Sequence, residues 1–90
     1  MIYNKVEPRV DYLHNSNGNT FKNCFALYYD RDRIDLYSYN TLVCSIIDGN
    51  VMRRWEGYSA TTMRHVNSFL QRYGYSSANK NGWLEMSIYA

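Results

Sequence analysis

The chain is short of residues that make linkers, loops and metal sites. Pro8 is its only proline, so no Pro-rich linker or polyproline segment is present. The five glycines form neither G-x-G-x-x-G nor G-x-x-x-x-G-K-[ST], which excludes the common phosphate-cradling loops. Two cysteines, Cys24 and Cys44, and two histidines, His14 and His65, match no zinc spacing. No H-E-x-x-H, C-x-x-C or acidic calcium loop occurs either, so neither a metal nor a cofactor is expected. Both cysteines lie in strand-like stretches, where a buried thiol is inert, which argues against a Cys–His nucleophile and for reduced core cysteines. No apolar run approaches the roughly eighteen residues of a membrane span, and no apolar stretch follows Met1. The expectation is a cytoplasmic protein that touches no membrane.

An excess of one charge is also missing. Ten Lys and Arg oppose eight Asp and Glu, for a net charge of +2 and a pI near 8.6. That is too basic for simple DNA mimicry and below the pI of about 9 that marks many nucleic-acid domains. Ninety residues make one small domain, spanning 1–90, with little room for a deep pocket.

Aromatic residues are abundant. Fifteen of the ninety residues are aromatic, and ten of these are tyrosine. The basic set is mostly arginine, which suits planar contacts with carboxylates, phosphates and rings. Tyrosine and arginine are the side chains enriched at interface hot spots, so a Tyr/Arg surface points to binding rather than chemistry.

Periodicity predicts an α+β fold. A short strand is expected over Ile2 to Val6, then a second apolar piece over Val10 to Leu13 and a turn-rich loop from His14 to Thr20. Cys24 to Tyr29 reads as a strand with Phe25, Leu27 and Tyr29 on one face. After a charged turn at 30–33, Ile34 to Tyr39 alternates Ile34 and Leu36 against Asp35, Tyr37 and Tyr39. Thr41 to Ile47 is the most apolar run and the expected central strand. Asp48-Gly49-Asn50 signals a hairpin into Val51 to Trp55, where Arg53 and Arg54 fall on opposite faces. Asp30, Asp32 and Asp35 are interleaved with Arg31 and Arg33, which reads as a solvated hairpin rather than a carboxylate site.

One main helix is predicted over about 59–73. Ser59 is its N-cap, Tyr58 and Met63 form a hydrophobic staple, and Gly74 stands at C′. Met63, Val66, Leu70 and Tyr73 make its apolar stripe. Ser59, Thr61 and Thr62 offer hydroxyls to the free N–H groups there, so self-capping is preferred over anion binding. Trp83 to Met86 reads as a helical turn capped by Asn79, or as the start of a last strand. The architecture expected is a small antiparallel sheet of three to five strands packed on one helix.

Two stretches carry a resemblance. Ser38-Tyr39-Asn40-Thr41-Leu42-Val43 and Tyr58-Ser59-Ala60-Thr61-Thr62-Met63-Arg64-His65-Val66 resemble a strand and a helix opening shared by a family of small phage and prophage proteins of Gram-positive bacteria. The resemblance implies a phage-encoded anti-defence protein. Its most concrete form is an anti-CRISPR inhibitor that binds a Cas effector complex of the host without catalysis. Within the motif Tyr58, Ser59, Thr61 and Thr62 serve as staple and cap, and His65 is expected within reach of Thr61 or Thr62. The residues expected to contact the partner are Arg31, Arg33, Tyr37, Tyr39, Arg53 and Arg54. The alternative is a small nucleic-acid-binding regulator that displays Tyr28, Tyr37 and Tyr39 beside the same arginines. Small domains often gain stability by pairing, so a homodimer is a further expectation.

Overall fold

A computed structural model describes residues 7–89. The strand expected over Ile2 to Val6 lies outside them. The observed order is β1 (Arg9–His14), β2 (Thr20–Asp30), β3 (Arg33–Ser38), β4 (Thr41–Ile47), β5 (Asn50–Arg53), α1 (Ala60–Arg72) and α2 (Lys80–Glu85). The strands form one antiparallel sheet in the order β1-β2-β3-β4-β5. This is the α+β architecture expected: a sheet of five strands, one main helix and a short second helix. The tail combines both of its readings. After α2, Ile88 makes a parallel bridge to Arg53, and the Tyr89 N–H donates to the Arg53 carbonyl at 2.7 Å.

Two-residue turns set the register. Asp48 and Gly49 both have positive φ, 51° and 79°, as a type I′ hairpin requires. Tyr39 and Asn40 do the same between β3 and β4, with φ of 51° and 64°. Asparagine is at ease there, but an aromatic residue is held in a region it rarely adopts. The Tyr39 N–H bond to the Asn23 carbonyl, 2.8 Å, fastens that turn to β2.

Alternation sorts each strand into two faces. One face carries Asp11, Leu13, Cys24, Ala26, Tyr28, Ile34, Leu36, Ser38, Cys44, Ile46 and Arg53, following the pairing register. α1 lies on it and completes the core with Met63, Val66, Phe69 and Leu70. Small residues at Cys24 and Ala26 let the helix approach the sheet closely, which places the larger Phe25, Leu27 and Tyr29 on the other side.

α1 has the ends that its sequence predicts. Ser59 Oγ accepts the Thr62 N–H at 3.0 Å. At the other end Gly74, with φ 87°, and Tyr75 donate to the Gln71 and Leu70 carbonyls, closing a Schellman motif. α2 is capped by Asn79, whose Oδ1 accepts the Gly82 N–H at 2.7 Å. Tyr58, assigned to the staple, is more than a third exposed and lies under the Lys80 ammonium at 5.0 Å.

Candidate functional site: the open face of the sheet

Among the described residues, helices cover only one face of the sheet. The opposite face presents three cross-strand rows. The first is aromatic: Tyr12 opposes Phe25, Phe25 opposes Tyr37, and Tyr37 opposes Leu42. Phe25 and Tyr37 stack with centroids 5.5 Å apart and planes within 11°, so each ring already occupies one face of the other. Tyr12, at the edge, is 60% exposed. The second row runs Val10, Leu27, Asp35, Ser45, Met52. The third pairs Arg33 with Ile47.

A polar chain crosses this face on β3, β4 and β5. Arg33 donates through Nε and Nη2 to the two Asp35 oxygens, at 2.9 and 3.2 Å. Ser45 Oγ donates to Asp35 Oδ1 at 2.7 Å and accepts from Arg54 Nη1 at 3.0 Å. Asp35 is only 2% exposed, yet both of its oxygens are satisfied. Buried carboxylates persist only when paired and bonded in this way. The chain therefore fixes two guanidinium groups on the open face, and Arg54 also stands 5.3 Å over the Tyr89 ring.

The structure divides the six residues expected to contact a partner. Arg33, Tyr37 and Arg54 come together on the open face. Arg31 is exposed at the β2–β3 turn. Tyr39, 56% exposed, sits at the opposite hairpin end and leans toward the helix side, 5.9 Å from the His65 ring. Arg53 is a correction. It is 4% exposed, and its guanidinium donates to the carbonyls of Trp55, Glu56, Gly57, Leu84 and Met86 at 2.6–3.4 Å. It faces the helices because it pairs with Cys44 on the covered side, while Arg54 takes the open one as the alternation requires.

Four further placements add to the sequence reading or differ from it. Tyr28, expected on display, faces α1 and stacks with Tyr73 at 6.1 Å. Phe25, grouped with Leu27 and Tyr29, belongs to the open face. Tyr12 and Tyr89 were not among the expected contacts. The alternation at Val10 to Leu13 was the available signal for Tyr12. Tyr89 reaches the face only through the bridge at Ile88.

The covered side holds several buried titratable groups. His65 Nδ1 and Ser38 Oγ are 2.8 Å apart, so the partner of His65 is on β3 rather than at Thr61 or Thr62. The bond joins the two stretches that carry the resemblance. Burial, followed by the Arg64 charge, pushes the His65 pKa down. Burial raises the Asp11 carboxyl, but bonds from Arg9 and Tyr73 and the charges of Arg9 and Arg72 outweigh this and hold it below the usual range. Tyr73 donates to Asp11 Oδ2 at 2.5 Å, and burial together with that bond raises its pKa to about 12. Burial also pushes both thiols up to about 12, which leaves Cys24 and Cys44 as inert core residues.

These shifts predict a pH dependence. The unfolded chain binds a proton at His65 below about pH 6.5, while the folded chain resists it, so stability is full above that value and falls as pH drops. Asp11 adds a second loss at lower pH, as its folded pKa is crossed. Urea midpoints at pH 7.5, 6.0 and 5.0 should decline in order. In His65→Gln the part of the decline between pH 7 and 5 should shrink. An unchanged slope in that variant would sink the assignment to His65.

Among the described residues no group of three or more His, Cys, Asp or Glu side chains is placed to hold a metal ion, and no helix is long and apolar enough to cross a membrane. The fold and the face together define a two-layer α+β protein with one uncovered, aromatic- and arginine-bearing sheet surface. Residues 6–85 match the model of a family of unknown function (DUF8033), and the chain belongs to that family. No curated protein and no solved structure matches it.

Proposed function

We propose that this protein is a non-catalytic binding protein that covers a surface of a protein partner with the open face of its sheet. The observation that carries the reading is the cross-strand row Tyr12–Phe25–Tyr37, left uncovered beside arginines already held in place. Pre-ordered aromatic and arginine side chains lose little rotamer freedom on binding, which is what interface anchors need. The resemblance of 38–43 and 58–66 to phage and prophage proteins gives the reading a concrete form. The partner is then a host defence complex, with a CRISPR–Cas effector as the case to test, and the site of action is the bacterial cytoplasm.

A nucleic-acid regulator is the second reading, supported by tyrosines and arginines on one face. Two observations oppose it. Phe25 and Tyr37 spend a ring face on each other rather than on a base, and Arg33 is neutralised by Asp35. Binding of that kind falls steeply with salt, so gel shifts at two salt concentrations separate the readings.

The decisive experiment compares purified protein with its Tyr12→Ala variant in cleavage assays of the host's Cas effectors. Tyr12 is exposed, so the variant should keep its stability within about 0.5 kcal/mol. Its inhibition should weaken by about tenfold or more if Tyr12 anchors the interface. Unchanged cleavage with every effector, and no Cas protein co-purifying, would remove the anti-CRISPR form.

A further inference from the structure

The open face holds two arginines, and only one of them has a carboxylate. Arg33 is closed on Asp35. Arg54 has no Asp or Glu oxygen within 4.0 Å among the described residues. Its Nη1 is fixed on Ser45 Oγ and its plane is backed by Tyr89, and Nε and Nη2 have no hydrogen-bond partner among the described residues. Apolar side chains share its face, with Met52 opposite Ser45 and Leu42 opposite Tyr37.

The central carboxylate of a second copy does not satisfy that charge face to face. Among the described residues Asp35 is the carboxylate at the middle of the open face, and it is buried and spent on Arg33 and Ser45, while Asp30, opposite Arg33, lies at the β2–β3 turn and accepts the Asp32 N–H. A polyphosphate strand is a poor match too, because one uncompensated guanidinium is not a track of cations.

We propose that the open face takes a protein segment in which an Asp or Glu carboxylate sits among apolar side chains. The carboxylate is received by Nε and Nη2 of Arg54. The apolar neighbours lie along Tyr12, Phe25, Tyr37 and Met52. This rests on the open face being the binding surface, and it adds the partner's chemistry. A guanidinium already anchored at one nitrogen is pre-organised for a side-on pair of hydrogen bonds. Those bonds strengthen once the partner excludes water from them.

The test is a selection of displayed random twelve-residue peptides on the purified full-length chain. Recovered peptides are then measured by fluorescence anisotropy against the wild type, Arg54→Gln and Tyr12→Ala. Enrichment of Asp or Glu flanked by apolar residues is expected, with affinity lowered about tenfold or more by Arg54→Gln. Exchanging the peptide's acid for its amide should reproduce that loss on the wild type and add nothing on Arg54→Gln. This second measurement stands even if the variant folds poorly. Peptides that depend on Tyr12, lack acids and ignore Arg54→Gln overturn the carboxylate and leave the open-face reading intact. Peptides indifferent to both variants, or no enrichment at all, overturn both. A uridine 20-mer bound more tightly than any peptide and released by Arg54→Gln also overturns the proposal.

Discussion

The Arg53→Met protein is expected to lose about 3–5 kcal/mol of unfolding free energy, a large part of the total available to a ninety-residue domain. The arginine is buried without a carboxylate. Its charge is held by five backbone carbonyls, from Trp55, Glu56, Gly57, Leu84 and Met86. These carbonyls belong to the segment after β5 and to the end of α2, so one side chain ties two stretches of the chain together. Methionine fills most of the space but donates nothing, and each carbonyl left dry costs about 1–3 kcal/mol unless water reaches it. Arg53→Lys should fall between the two, since an ammonium has three donors on a point rather than a planar fork. Urea unfolding followed by tryptophan fluorescence measures this, and a loss under about 1 kcal/mol for Arg53→Met would refute the role assigned here.

Trp83→Ala is the second large effect, at about 3–5 kcal/mol. Trp83 is fully buried and is the one core residue that α2 contributes. Its Nε1–H donates to the Gly57 carbonyl at 3.0 Å, and the Arg53 guanidinium stands 5.0 Å above its ring. Trp83→Phe keeps most of the apolar volume and drops that bond, so a loss of about 1–2 kcal/mol is expected. Gly57 itself is pinned beneath Trp55, because a Cβ there would lie 2.2 Å from a ring carbon. Arg53 and Trp83 share both the Gly57 carbonyl and a stacking contact, so the double variant should lose less than the sum of the single losses, by about 1 kcal/mol. Strict additivity would show that the two side chains act independently. Hydrogen exchange gives a separate check: α2 amides should lose protection in Trp83→Ala while α1 amides keep theirs.

Local chemistry made much of the fold legible. Ser59, Gly74 and the Met63–Val66–Leu70–Tyr73 stripe mark α1 to within a residue at each end, because caps and 3.6-residue periodicity are short-range signals. Asp48-Gly49 marks its hairpin for the same reason. β1 and the first part of β2 were less legible. Asn23 has a φ of 56° inside β2, a kink that interrupts any alternation read across it. Phe21 thereby lands beside His65, with ring centroids 4.7 Å apart.

The candidate site was legible only in part. Alternation put Asp35 with Tyr37, Phe25 with Leu27, and Arg53 opposite Arg54, and all of these pairings stand in the sheet. Which of the two faces the helix covers is a different matter. Alternation put Phe25, Leu27 and Tyr29 together without saying which side is inside, and Cys24 and Ala26 are the residues buried on the helix side. The neighbouring strands decided this, because Cys24 and Ala26 share their face with Leu13, Ile34, Leu36 and Ile46, which supply the apolar surface.

The sequence by itself determined the elements, their turns, the scarcity of catalytic and metal-binding groups, and the supply of tyrosine and arginine. Only the tertiary structure decided which of those side chains meet. Arg53 and Arg54 are adjacent in sequence and identical in chemistry, yet one is a buried clasp and the other an outward donor. The period of two in a strand sends neighbours to opposite faces, and the position of a single helix determines which face is the inside.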